Sequence, residues 1–436
     1  MDRATDFTST FDVAVVGAGP AGIAAACVAA ESGARVGVVD DNPAAGGQIW
    51  RRSIEHSTAE HSNAEHSPSA AATKWRGRLE RAGVTFIYGA KVVARESADV
   101  LVAETWERTL KLKFAKLVIA TGARERFLPF PGWTLPGVMG AGGLQALVKS
   151  GLSVSSKRVV IAGSGPLLLA VAEYLRRAGA RVLLIAEQAP AARIRGFAAR
   201  LLLHPAKIWQ AMRLKLALSG VPYHFGMWPV AAGGAEKVEW VELVCNGKKT
   251  RVACDYLACG FHLVPNVELA ELLGCEINGG FVRVNELQET SVPGIFCAGE
   301  PVGIGGVEAA LIEGQIAGYA AARNVTKACA FFAERGAARQ FTGLLARTFA
   351  LRDELRELCS PDTLVCRCED VSHERLAKYS DWRSAKLQTR CGMGACQGRV
   401  CGAAVEFIFG WRAESVRPPI FPARVESLAA LSGVKE

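Results

Sequence analysis

The chain has 436 residues, half of them hydrophobic and 21% charged, with a formal net charge of +9. That length supports two or three domains with cores of their own, and the composition excludes a disordered chain. The basic residues are densest over 193–215 but stand beside no recognition motif, so the charge suits an anionic cofactor, an acidic partner subunit or a membrane surface rather than nucleic acid.

The opening stretch MDRATDFTST has no apolar core, so no secretion leader is expected. Next comes FDVAVVGAGPAGIAAACVAAESGARVGVVDD: an apolar strand, Gly17-x-Gly19-x-x-Gly22, an alanine-rich helix and a second strand ending at Asp40. Gly17 permits the tight turn, Gly19 lets the backbone approach a pyrophosphate, and Gly22 lets helix and strand pack closely. The helix start, at Pro20 and Ala21, supplies N–H groups and a partial positive charge. Asp40, 23 residues after Gly17, lies where a carboxylate accepts hydrogen bonds from a ribose, with Asp41 beside it. Residues 53–73 repeat Glu-His-Ser. The five-residue spacing of His56, His61 and His66 does not hold three imidazoles on one helical face, so this stretch reads as a loop.

LVIATGARE (117–125) is a strand leading into Thr121-Gly122, a turn set beside the adenine half in two-dinucleotide flavoproteins. The longest uncharged run, Phe127–Val148, contains three prolines and five glycines, which rules out a membrane helix. KRVVIAGSGPLLLAVAEYLRRAGARVLLIAEQ then repeats the first unit as Gly163-x-Gly165-x-x-Leu168. Leucine at the third position is expected to hold the helix off the strand and crowd a pyrophosphate, while Glu187 ends the second strand where a ribose is bound. A nicotinamide fold is expected, and whether it holds NAD(P) stays open. GGQIWRR (46–52) carries no redox cysteine pair, and no C-x-x-C occurs over 155–275. Cys245, Cys254, Cys259 and Cys275 read as small buried hydrophobes. GIFCAGEPVGIGGVEAALIEGQIAG (294–318) is a strand, Gly299-Glu300 and a helix whose start near Gly306 would face the pyrimidine edge of a flavin.

The tail changes character. Cys366-x-Cys368 is followed, after 27 residues, by Cys396-x₄-Cys401, with Cys391 also near. Thirteen cysteines and no leader suit a reducing cytoplasm, and clustered thiols suit metal over disulfides. Two pairs of soft thiolates suit a [2Fe–2S] cluster or zinc, and a flavin on the same chain favours iron. The expected ligands are Cys366, Cys368, Cys396 and Cys401, with Cys391 as the alternate. Cys401 would open the helix CGAAVEFIFGW.

GGQIWRR, ATGARERFLPFPGWTLPGVMGAGGLQALVKSG, CGFHLVPNVELAELLGC and TRCGMGACQGRVCG together resemble the FAD-containing α subunits of heteromeric amino-acid dehydrogenases. That family includes opine oxidases, D-hydroxyproline and L-proline dehydrogenases and the B subunit of hydrogen cyanide synthase. The tail is also similar to that of anaerobic glycerol-3-phosphate dehydrogenase.

The resemblance implies an α/β, glutathione-reductase-like two-dinucleotide-binding-domain flavoprotein with a small C-terminal [2Fe–2S] domain of the bacterioferritin-associated-ferredoxin-like type. Its parts would be residues 1–152 and 277–350 for FAD, 153–276 as the NAD(P)-binding-like domain and 351–436 for the cluster. The candidate FAD residues are Gly17, Gly19, Pro20, Ala21, Gly22, Asp40, Asp41, Gly47, Gln48, Thr121, Gly122, Gly299, Glu300 and Gly306. Glu300 replaces the family's usual Asp. The implied partners are a catalytic β subunit with its own flavin, a small third subunit, and a quinone or other acceptor, with FMN at an interface between subunits as a further cofactor. A position at the inner face of the membrane is also compatible. No catalytic residue is marked on this chain. Two further readings are a self-sufficient NAD(P)H oxidoreductase and a redox-responsive interaction module.

Overall fold

The computed structural model describes residues 7–51, 70–202, 204–413 and 415–431. The histidines of the Glu-His-Ser repeat lie outside them. The strand Phe7–Val16, helix Pro20–Glu31 and strand Val36–Asp40 form the first parallel unit, with Val13 opposite Val36 and Val16 opposite Val39. The sheet runs Thr85–Tyr88, Val36–Asp40, Phe7–Val16, Thr109–Ile119, and ends in the antiparallel strands Val100–Glu104 and Lys91–Ser97. Ile295–Cys297 joins Thr109–Ile119 in parallel, so the chain returns to its first sheet after building a second.

Val36–Asp40 is buried at every position, as a parallel strand covered on both faces should be. The helix Pro20–Glu31 is buried without interruption from Ala21 to Ala29. One neighbour is the helix Gly306–Ala321, where a Cβ at Gly314 or Gly318 would overlap the carbonyl oxygens of Ala21 and Ala25. Glycine at those two positions sets the helix–helix approach.

The second sheet orders its parallel strands Tyr223–Phe225, Arg181–Glu187, Arg158–Ser164, Tyr256–Phe261, Val138–Gly140. An antiparallel trio, Met227–Gly233, Trp240–Cys245 and Lys248–Ala253, lies beside it. Cys254, Cys259 and Cys275 are buried as expected, whereas Cys245 is half-buried. Burial pushes the Cys254 thiol up to about 11.

After the helix Phe332–Thr348 the chain enters the tail. A small core of Val365, Val371, Leu376, Ala385 and Val405 encloses Cys366, Cys391 and Cys401. The tail leans on the body. Trp133 Nε1 donates to Leu364 O at 2.6 Å, the Ile420 N–H donates to Val93 O at 2.8 Å, and the Thr109 and Ser427 hydroxyls lie 2.9 Å apart. Among the described residues no helix is long and apolar enough to cross a membrane.

Candidate functional site

The separated segments marked in the sequence converge on the first glycine turn. A Cβ on Gly17, at φ +107°, would strike the Ala120 carbonyl, and one on Gly22 would strike Gly17 O. Gly47 packs against Gly19, its Cβ position 2.9 Å from Gly19 Cα. Gly299 packs against Ala21, at 2.9 Å from its Cβ. Around this knot three glycines face open space instead: Gly19, Gly122 and Gly306 have no atom within 4 Å of where a side chain would begin. Pro20 opens the helix, whose first turn carries no acidic side chain, so its N–H groups and dipole are left for an anion.

Asp40 is buried, and both its oxygens are engaged. The Ala18 N–H donates to Oδ2, while Asn42 donates to Oδ1 from its backbone at 2.8 Å and from Nδ2 at 2.7 Å. The carboxylate expected to meet a ribose therefore also fastens the turn to the end of its second strand. Asp41 and Gln48 are exposed beside it. Thr121 is held by a residue the sequence did not mark: its hydroxyl donates to Asn266 O at 2.6 Å, and Asn266 Nδ2 donates to Thr121 O at 2.9 Å.

Glu300 is half-buried, and nothing among the described residues donates to it. Burial alone pushes its carboxyl above the ordinary range. Glu313 was also unmarked. It is buried on the helix Gly306–Ala321, accepts from the Gly299 N–H at 3.1 Å and faces Arg339 Nη2 at 3.4 Å. A lone acid within IEGQIAG, on an apolar helix, was the available signal.

The second glycine turn has the same backbone and a different fate. Gly163 at φ +145° packs against Gly260, whose own lack of a Cβ makes room for Leu168. Leu168 is fully buried in the core. Its side chain was expected to hold off the helix and crowd a pyrophosphate; it lies in the core instead of at the mouth of the turn, in the space Gly260 vacates. Glu187 is fully buried too, accepting from the Gly165 N–H at 2.7 Å, the Ala189 N–H at 2.8 Å and the Ser164 hydroxyl at 3.2 Å. Desolvation raises its carboxyl to about 7. Over the turn lies the chain itself. Phe349 O accepts from Ser164 Oγ at 2.8 Å and from Gln188 Nε2 at 3.3 Å, and sits 2.6 Å from His262 Nε2.

In the tail, the sulfurs of Cys366, Cys391 and Cys401 lie within 4.8 Å of one another. Cys396 touches Cys401 and Cys368, completing a group of five. Cys366, Cys368, Cys396 and Cys401 line an open cavity of about 320 Å³ with Arg367 and Val400, while Cys391 is buried behind it. The cavity thus displays the four expected ligands, and the shortest sulfur triangle includes the alternate. Contacts from Cys391 and Cys401 hold the Cys366 thiol far below its ordinary range, and contact with Cys401 lowers Cys396 to about 5. The same contacts push Cys391 up to about 12 and raise Cys368 and Cys401, so protons are shared within the group, and a soft metal would have to displace those that remain. Backbone N–H groups of Gly392 and Glu369 point at Cys366, and those of Val400 and Gly398 at Cys396. Gly394 is needed because a Cβ there would overlap Cys368. Cys401 begins the helix Cys401–Phe409, as its sequence suggested.

The two regions are bracketed by Arg124. Its Nη1 donates to Asn266 Oδ1 at 2.7 Å and pairs with Glu268 Oε1 at 2.9 Å, while Nε donates at 3.1 Å to the carbonyl of Arg399, between Cys396 and Cys401.

Residues 11–325 match the model of the pyridine nucleotide-disulphide oxidoreductase family. The chain is 32% identical to hydrogen cyanide synthase subunit HcnB of Pseudomonas aeruginosa, over 89% of this chain and 90% of that protein. It is 30% identical to the A subunit of opine oxidase from Agrobacterium tumefaciens, over 98% and 93%. Among solved structures it superposes on L-proline dehydrogenase from P. horikoshii with TM-score 0.68 at 18% identity, covering 98% of this chain and 81% of that one. Thioredoxin reductase of T. acidophilum follows at 0.54 and 21% identity, over 73% of this chain and 99% of that one. These two likenesses show the fold.

Proposed function

The chain belongs to the pyridine nucleotide-disulphide oxidoreductase family, as a FAD-dependent oxidoreductase alongside HcnB and the opine oxidase A subunit, and on that premise we propose that it is the electron-relaying subunit of a heteromeric dehydrogenase. The observation that carries this reading is the five-cysteine group joined through Arg124 to the turn beside the first nucleotide fold. The substrate class is an amino or imino acid of the opine, hydroxyproline or proline kind, oxidised on a catalytic partner with its own flavin. A small third subunit, an FMN at the interface, a quinone acceptor and a cytoplasmic site at the membrane's inner face complete the proposal.

The open faces of Gly19, Gly122 and Gly306 and the unpartnered Glu300 fit FAD, and the soft thiolates of the tail fit [2Fe–2S]. When bound, FAD exchanges electrons in pairs or singly, and [2Fe–2S] carries one at a time. This chain's residues then act by position. Gly19 admits the pyrophosphate to the helix start at Pro20. The helix beginning at Gly306 would offer its positive end, and Glu300 its carboxyl, to a bound flavin. Cys366, Cys368, Cys396 and Cys401 hold the metal group, with the Arg399 guanidinium close by to balance its charge. Cys391, buried within 4.8 Å of Cys366 and Cys401, would be the alternate ligand.

An anaerobic absorption spectrum with metal analysis tests the assignment. Flavin and iron–sulfur bands are expected, with iron lost in Cys396→Ser and FAD retained. Zinc in place of iron, or unchanged turnover by Cys396→Ser in the assembled complex with an external acceptor, would overturn the relay.

A further inference from the structure

The two glycine turns of this chain differ in what stands in front of them. Gly19 faces open space, whereas the nearest atom to the missing side chain of Gly165 is Phe349 Cγ, at 3.9 Å. Phe349 follows the helix Phe332–Thr348, is buried, and leads into the tail. Its carbonyl gathers Ser164 Oγ, Gln188 Nε2 and His262 Nε2. The strap continues with Ala350 O, which accepts from Gln188 Nε2 at 3.3 Å and Arg193 Nη1 at 3.2 Å. The Arg352 N–H then donates to Gln188 Oε1 at 3.2 Å.

A dinucleotide on such a fold places its pyrophosphate against the glycine turn and helix start, and its ribose on the acid ending the second strand. Here an aromatic ring and a carbonyl cover the turn. The acid, Glu187, has no exposed surface, whereas Asp40 at the first turn keeps 8%. The cavity left beside the strap, between Pro190, Arg193 and Arg352, measures about 260 Å³. That is below the roughly 300–1,000 Å³ of small-molecule sites.

We infer that residues 349–352 are a built-in occupant of the second nucleotide site, and that this chain excludes NADH and NADPH as electron donors. The strap stands in the place of a ligand: its carbonyls take the donors of Ser164 and Gln188, and its ring fills the space in front of Gly165. This inference rests on the second nucleotide fold alone, so it survives or fails independently of the tail's cofactor and of any partner subunit.

Hydrogen–deuterium exchange on the full FAD-loaded chain tests it, with and without NADH or NADPH at millimolar concentration, beside calorimetric titration. The expected result is no saturable heat, and slow exchange over 160–170 and 346–354 that neither nucleotide alters. Added anaerobically, neither nucleotide should bleach the flavin bands, and bleaching within seconds, wherever the nucleotide binds, would overturn the inference. Protection over 163–168 together with faster exchange at 349–352 would mean that the strap is expelled, and would overturn the inference. Two variants, Phe349→Gly and Gln188→Ala, check what holds the strap. Exchange at 349–352 should rise about tenfold or more in each. Wild-type protection in both variants would also overturn it.

Discussion

Gly19 and Gly22 stand three residues apart in one turn and meet different surroundings. Gly19 sits at φ −75°, which any residue adopts, with nothing in front of it, whereas a Cβ on Gly22 would strike Gly17 O. Gly22→Ala should therefore lower stability, on the order of 1–3 kcal/mol by overpacking. Gly19→Ala should change it by less than about 0.5 kcal/mol yet weaken FAD binding. Urea unfolding of the FAD-free protein and flavin titration separate the two. Glu187 gives a pH prediction. Its carboxyl is raised from 4.5 to about 7 in the fold, so its contribution to stability is fully present below pH 4.5 and is lost as pH rises through about 7. The stability of wild type relative to Glu187→Gln should fall by on the order of 3 kcal/mol over that window, whatever constant offset the amide introduces. A flat difference would show that Glu187 is not the titrating group. The acid's place at the end of a strand was legible in the sequence; its burial was not, because Ser164 and Ala189 reach it only once the turn is folded.

At the scale of elements, both strand–turn–helix units were legible because glycine spacing and apolar periodicity are local. What Leu168 does is set by Gly260, 92 residues later, on the strand Tyr256–Phe261, and by no neighbour in sequence. The substitution Leu168→Gly should consequently act as a cavity mutation. A loss of about 2–5 kcal/mol is expected, as for other large-to-small core changes, with no gain of nicotinamide binding, since the ring of Phe349 stays in front of Gly165. Thermal unfolding and NADH titration of this variant check both halves. Helix packing carries the same lesson: what requires glycine at 314 and 318 is the backbone of Pro20–Glu31 lying against them. Gly318→Val should force these helices apart and lose flavin together with stability, measured as a reduced FAD content and a lower Tm.

Across the whole molecule, the gathering of the tail cysteines was legible from spacing, whereas the tail's attachment to the body was not. Trp133, Arg124 and the strand Lys91–Ser97 each meet the tail through partners hundreds of residues away, among them Leu364, Arg399 and Ile420. Removing the proposed metal group should loosen the cysteine loop and leave the body intact, because the two have separate cores. Limited proteolysis after iron chelation should cut over 367–400 while the flavin spectrum persists. Simultaneous loss of FAD would mean that the tail clamps the nucleotide fold. The strap over the second turn has a consequence for physiology. A reductase that draws on a diffusing nicotinamide follows the cell's NADH/NAD⁺ ratio and slows or reverses with it. A socket filled by its own backbone would cut this chain off from that pool, and the direction and speed of oxidation should then follow substrate supply and terminal acceptor even when the cell is highly reduced.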